Sequence, residues 1–123
     1  MRRVANRSPS DPQPLPPEPP REDLELRFAD VTLNATRREV ARGGGPLRLT
    51  ALEYDLLAFL LRHPYEAHSR RRLSEAVWGS AYDNSSNYVD VAVMSLRRRL
   101  EVDGKPRVIQ TLRGYGYALR EVT

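Results

Sequence analysis

Apolar and polar positions along the chain change period twice, and those two changes divide it into three parts. Leu24-Glu25-Leu26-Arg27-Phe28, Val31-Thr32-Leu33-Asn34 and residues 38–42 alternate with period two. That period places every second side chain on one face, so three short strands are predicted. Ala29-Asp30 and Asn34-Ala35-Thr36 supply turn residues between them. Gly43-Gly44-Gly45-Pro46 breaks the third strand, and Leu47-Arg48-Leu49 is expected as a fourth strand of a small antiparallel meander. At Thr50 the period lengthens to that of a helix. Thr50-Ala51-Leu52-Glu53 is a capping box, in which the threonine oxygen takes an orphan N–H and the glutamate reaches back to the cap. Leu52, Leu56, Phe59 and Leu60 keep helical spacing up to His63-Pro64, because the residue before proline is pushed out of the α region. Ser69 caps a second helix over 70–77, with Leu73, Ala76 and Val77 apolar and Trp78-Gly79 at its exit. A polar loop is expected over 80–86, then a third helix over 87–102. On that helix Val89, Val93, Leu96 and Leu100 form a narrow apolar seam, while Asn87, Val91, Ser95 and Arg98 point the other way. Asp103-Gly104-Lys105-Pro106 ends it. The period then returns to strands over 107–119, two β-rich runs folded around Gly114-Tyr115-Gly116 with Arg113 at the bend.

Composition separates the ends of the chain. Residues 1–21 hold seven prolines and only three aliphatic side chains, too little apolar surface to offset the entropy of ordering. Residues 1–22 are therefore expected to be a proline-rich flexible linker, and residues 23–123 one domain with a modest core. There is no cysteine, which excludes disulfides and thiolate chemistry. No run of about 18 apolar residues and no signal-peptide pattern occurs, so the protein is expected to be soluble and cytoplasmic, with no membrane partner.

The net charge of +4 is unevenly placed. Residues 1–49 carry nine basic and seven acidic groups, residues 50–68 one and three, and residues 69–120 ten and five. The excess thus falls on the third helix and the hairpin, as expected for a footprint on a polyanion. Arg70, Arg71 and Arg72 crowd a helix start where the macrodipole disfavours cations by about 0.3–1 kcal/mol each, so an anion such as a DNA phosphate is expected there. On the third helix Asn87, Tyr88, Val91, Met94, Ser95 and Arg98 would meet base edges. Asn87 suits adenine, Val91 a thymine methyl, and Arg98 phosphate or guanine. Asp90 is out of place on such a face and is expected to act structurally, paired with an arginine. At the hairpin, Arg113 is positioned for a minor groove, Thr111 and Tyr115 for phosphate, and Tyr117 for the core. Trp78 suits either a phosphate or the cover of the helix junction. Catalysis finds little support. His63 and His68 straddle a helix end in poor metal geometry, and Gly43 to Gly45 lack the lysine and hydroxyl of a phosphate-binding loop. Neither an enzyme nor a metal or other cofactor is expected.

These residues resemble a known family. Leu49-Thr-Ala-Leu-Glu-Tyr-Asp-Leu-Leu, Ser69-Arg-Arg-Arg-Leu through Val77-Trp-Gly, Val89-Asp-Val, Leu96-Arg-Arg-Arg-Leu and Gln110-Thr-Leu-Arg-Gly-Tyr-Gly-Tyr together are similar to the C-terminal effector domain of OmpR/PhoB-type response regulators. The likeness runs over residues 24–122, with all five motifs in order. It implies an α+β winged helix-turn-helix: an N-terminal four-stranded antiparallel sheet, a three-helix bundle and a C-terminal β-hairpin wing. It implies sequence-specific binding of double-stranded DNA for transcription regulation, with a homodimer on tandem half-sites. The loop over 78–86 would meet RNA polymerase. By the same likeness Asn87, Tyr88, Val91, Ala92, Ser95, Arg97 and Arg98 fall on recognition-helix positions, and Arg113 on the wing position. Many members carry basic residues where this chain has Asn87, Met94 and Ser95, and arginine or histidine where it has Ala92. The resemblance also places a receiver domain upstream, absent from this chain, of which Met1-Arg2-Arg3-Val4 would be the end. A protein-interaction winged helix docking an acidic partner is the alternative from another class, and an RNA-binding module suits the grooves less well.

Overall fold

The two-residue period at the start of the chain closes into an antiparallel sheet of four strands, β1 (Glu25–Phe28), β2 (Val31–Asn34), β3 (Glu39–Arg42) and β4 (Gly45–Leu47), in the order β1-β2-β3-β4. The computed structural model describes residues 24–79 and 87–121. The linker predicted over 1–22 and the loop predicted over 80–86 lie outside the described residues. Alternation works as expected: Val31 and Leu33 on β2 are buried, with Thr32 and Asn34 less so. The fourth strand starts two residues earlier than its predicted Leu47. Gly43 (φ 60°) and Gly44 (φ 84°) alone form the turn between the paired residues Arg42 and Gly45, because a two-residue hairpin of matching twist needs positive φ at both central positions.

Helix α1 (Ala51–Arg62) starts at the predicted capping box. The Thr50 hydroxyl accepts from the Glu53 amide at 3.1 Å, and the Glu53 carboxylate accepts from the Thr50 amide at 2.9 Å. Leu56 and Leu60 are buried as the spacing predicts, but Leu52 stands exposed while Leu57 and Leu61 are buried. The helix packs against β1, β7 and both other helices, so its buried face is wider than one seam. After His63 a two-residue strand, β5 (His68–Ser69), leads directly into α2 (Arg70–Trp78). It was not predicted, since two residues carry no period. It pairs antiparallel with β7 (Gly116–Leu119), which also pairs with β6 (Ile109–Leu112), giving the order β5-β7-β6. The close approach sets one residue. A Cβ built on Gly116 would lie 2.0 Å from the His68 carbonyl oxygen.

Helix α3 (Tyr88–Leu100) is shorter than the predicted 87–102. Asn87 is its N-cap, without a side-chain cap bond, and Asp103 at φ 59° turns a short 3₁₀ segment (Val102–Gly104) away from the helix. The seam Val89, Val93, Leu96 and Leu100 is fully buried in the common core, where α3 packs against α1 and α2. Each such leucine contributes about 1.5–3 kcal/mol. The first sheet is tied to the end of α3 by a buried arginine. Arg42 donates from Nε to Asp30 at 2.9 Å and from Nη1 to the Leu100 carbonyl at 2.7 Å, where the helix dipole favours a cation.

Candidate nucleic-acid interface

The arginine triplet that opens α2 is divided by the fold into three roles. Ser69 caps the helix by accepting from the Arg72 amide at 3.0 Å. Arg70 turns inward and donates from Nε to Asp90 Oδ1 at 2.8 Å. Arg72 reaches Glu66 at 3.4 Å and lies over the Phe59 ring. Arg71 stays exposed, with no ion-pair partner among the described residues. The unfavourable crowding at a positive helix end is thus relieved for two of the three by carboxylates. At the far end, Gly79 at φ 72° closes α2, and Trp78 packs edge-on against Tyr88 with ring centroids 4.9 Å apart. Tyr88 also shares a hydrogen bond with the buried Ser74 hydroxyl.

On α3 the outward face consists of Asn87, Val91, Met94 and Arg98, spaced i, i+4, i+7 and i+11 along one side. Val91 and Met94 are 54% and 55% exposed, an apolar pair that the core has no part in. Other positions expected on this face are placed differently. Ala92 is buried: it lies three residues after Val89 and four before Leu96, so it belongs to the seam, and the expectation that it faces a ligand is corrected. Ser95 donates to Glu53 of α1, and Arg99 pairs with the same carboxylate at 3.5 Å. Burial raises the pKa of Glu53, but the bonds from Ser95 and Thr50 and the charge of Arg99 outweigh it, and the carboxyl is held below its ordinary value. Arg97 folds across to the hairpin, donating to the Ile109 carbonyl at 2.6 and 3.0 Å and to the Thr111 hydroxyl at 2.8 Å.

Asp90 is the junction of three elements. Besides Arg70 it accepts from the Tyr117 hydroxyl, so α2, α3 and β7 meet at one carboxylate. Burial raises its pKa, yet the bonds from Tyr117 and Arg70 prevail and hold it below the usual carboxylate range. Tyr117 is buried, and both burial and the carboxylate push its phenol up, which keeps it a donor. Arg70 and Arg97 lie over its ring, at 5.2 and 5.5 Å from the centroid. At the hairpin turn the Tyr115 amide donates to the Leu112 carbonyl at 2.9 Å, and Gly114 takes φ 76°. Arg113 and Tyr115 are left exposed at the tip.

The exposed candidates are therefore Arg71, Asn87, Val91, Arg98, Thr111, Arg113 and Tyr115, with Met94 beside them, and Thr111 also accepts from Arg97. Arg70, Arg97, Thr111, Ser95, Tyr88 and Trp78 hold that surface in place through the contacts above. Sequence spacing separated the seam of α3 from its outward face except at Ala92, but which polar groups pair with one another depends on other elements of the fold.

The sequence profile of the family described as "Transcriptional regulatory protein, C terminal" matches residues 44–119. The chain belongs to this family. Over 105 residues this transcriptional regulatory domain is 45% identical to the response regulator MprA of Mycobacterium tuberculosis, a match over 85% of the chain and 46% of MprA. The chain spans about half the length of the curated relatives it matches. Among solved structures, the Klebsiella pneumoniae RstA DNA-binding domain in complex with the RstA box superposes with a TM-score of 0.72 at 30% identity, covering 78% of this chain and 96% of that one. The DNA-binding domain of Escherichia coli CpxR gives 0.70 at 33% identity, covering 81% and 99%. The regulatory domain is thus an OmpR/PhoB-type effector domain with a winged-helix fold, as its motifs indicated.

Proposed function

We propose that this domain binds double-stranded DNA sequence-specifically to regulate transcription, as the effector half of a two-component response regulator in the cytoplasm. One observation carries the reading: α3 buries a complete seam yet leaves Asn87, Val91, Met94 and Arg98 outward, while Asp90 and Arg97 fasten it to a hairpin whose tip presents Arg113. An apolar pair flanked by an amide and a guanidinium matches the mixture of methyl groups, donors and acceptors on base edges in a major groove. The hairpin arginine suits the electronegative minor groove beside it. The likeness to RstA, whose domain was solved on its DNA box, supports the same reading. Two subunits would occupy tandem half-sites. The loop over 78–86, of which residues 80–86 lie outside the described residues, would meet RNA polymerase.

The test is selection of bound duplexes from a genomic fragment library by the full chain at near-physiological salt. A repeated half-site motif is expected. Asn87→Ala should relax the preference at one position of that motif, costing about 1–3 kcal/mol there and little elsewhere. Binding that is blind to sequence would overturn the reading and favour a surface that docks an acidic protein.

A further inference from the structure

The C-terminal end of α3 opens onto a cleft of about 430 Å³ between the β3–β4 hairpin and the 3₁₀ turn, lined by Arg42, Arg48, Arg98, Arg99, Lys105 and a single acid, Asp103. Two of the five cations are already matched. Arg42 is neutralised by Asp30, and Arg99 by Glu53. Arg48, Arg98 and Lys105 have no ion-pair partner among the described residues, so the cleft holds three uncommitted cations against Asp103. None of the other clefts described has this imbalance; the one that shares Arg42 with it sets Arg42 and Arg107 against Asp30 and Glu121. Like charges converging on one space repel, and an anion entering it is favoured.

Position decides which anion. Arg98 belongs to both surfaces: it continues the outward face of Val91 and Met94, and it lines the cleft. A helix of 13 residues is about 20 Å long, whereas a major groove is about 12 Å wide. When α3 lies in the groove, its ends therefore meet the phosphate backbones on either side. Arg71 and the Ser69 cap of α2 lie toward the N-terminal end, and the basic cleft lies at the other. We infer that Arg48, from the β4–α1 connection, and Lys105, from the segment after α3, form with Arg98 a second phosphate clamp on the DNA backbone. Neither Arg48 nor Lys105 belongs to the helix-turn-helix or the wing. The inference rests on the DNA-binding reading and extends its footprint to the N-terminal sheet. Such a clamp supplies affinity without reading sequence.

The test is the salt dependence of binding to a labelled random-sequence duplex, measured by fluorescence anisotropy with the full chain and with Arg48→Ala, Lys105→Ala and, as a control, Arg62→Ala at the C-terminal end of α1. Each cleft variant should make the log K against log salt slope shallower by about 0.9, and the pair together by about 1.8. The motif recovered by duplex selection should stay the same, and Arg62→Ala should leave the slope unchanged. If wild type binds with an ordinary slope and the cleft variants share it, the clamp is overturned while the DNA-binding reading stands. If the variants keep the wild-type slope but lose binding to poly-glutamate, the cleft is a site for an acidic protein instead. If wild type binds no duplex at all, the functional reading fails and the clamp with it.

Discussion

Asp90→Ala tests whether the acid on α3 is a strut or a surface charge. In the structure its carboxylate accepts from Arg70 at 2.8 Å and from the Tyr117 hydroxyl. The Arg70 and Asp90 side chains are 29% and 34% exposed, so solvent screens the ion pair and its loss costs about 1 kcal/mol. Tyr117 is only 5% exposed, and a buried hydroxyl left without its acceptor costs about 1–2 kcal/mol more. The sum, about 2–3 kcal/mol, corresponds to a fall in melting temperature of about 10–15 °C for a domain of this size. Thermal unfolding followed by circular dichroism measures it. Asp90→Asn keeps an acceptor for Tyr117 and should recover about half. A double-mutant cycle with Tyr117→Phe should show coupling of about 1 kcal/mol. The pH dependence has a definite sign: the folded carboxyl lies below its unfolded value, so the stabilisation is present above about pH 4 and is lost as pH falls through the folded value. The difference between wild type and Asp90→Ala should therefore close in acid. DNA affinity separates the two roles by direction. Removing a surface acid near phosphates would raise affinity, whereas removing a strut that orients α2 and the wing lowers it. A melting temperature within about 2 °C of wild type together with tighter binding refutes the reasoning.

Two further outcomes rest on single contacts. Gly116→Ala places a Cβ 2.0 Å from the His68 carbonyl oxygen, a backbone atom that cannot swing away, and should cost about 3 kcal/mol or more by parting β5 from β7, read in hydrogen exchange as lost protection of the amides that pair these two strands. His68 is fully buried; it donates from Nε2 to the His63 carbonyl at 3.1 Å, while Nδ1 has no hydrogen-bond partner. Burial pulls its pKa below the ordinary value of about 6.5, with the His63 carbonyl and Glu66 opposing and Arg72 and His63 adding. Its contribution to stability is therefore present above pH 6.5 and is lost as pH falls toward the folded value. Imidazole NMR should show the neutral, Nε2-protonated ring persisting below the pH at which a free imidazole titrates, and a ring titrating at its ordinary value would contradict the burial.

Much of the architecture was legible because it depends on period and on a few local groups. The capping box at Thr50, the serine cap at Ser69, the break at His63-Pro64 and the seam of α3 each follow from residues within a turn or two of one another, and the structure reproduces all four. Where reading stopped short, the deciding partner lay elsewhere. The β5 strand has no period of its own and exists because β7 lies beside it. Leu57 and Leu61 are buried because α1 is surrounded on several sides, which its own spacing does not report.

The candidate site divides in the same way. The order of charge and apolar spacing along the chain was enough to mark α3 as a helix with an outward polar face and to put an arginine at the tip of the last hairpin. Ala92 was within reach of that reading, since its distance from Val89 and Leu96 already placed it on the seam. What became of each arginine was not within reach. Arg70, Arg71 and Arg72 are chemically identical neighbours, yet Asp90, solvent and Glu66 receive them in turn. Arg97, Arg98 and Arg99 are likewise divided among the hairpin, the open cleft and Glu53. A helix period of about 100° per residue decides which way a side chain leaves its own backbone, and sequence carries that information locally. Whether the charge it carries is spent inside the molecule or left for a ligand depends on carboxylates and carbonyls that lie on other elements, from 6 to 46 residues away along the chain, and only the tertiary structure decides that.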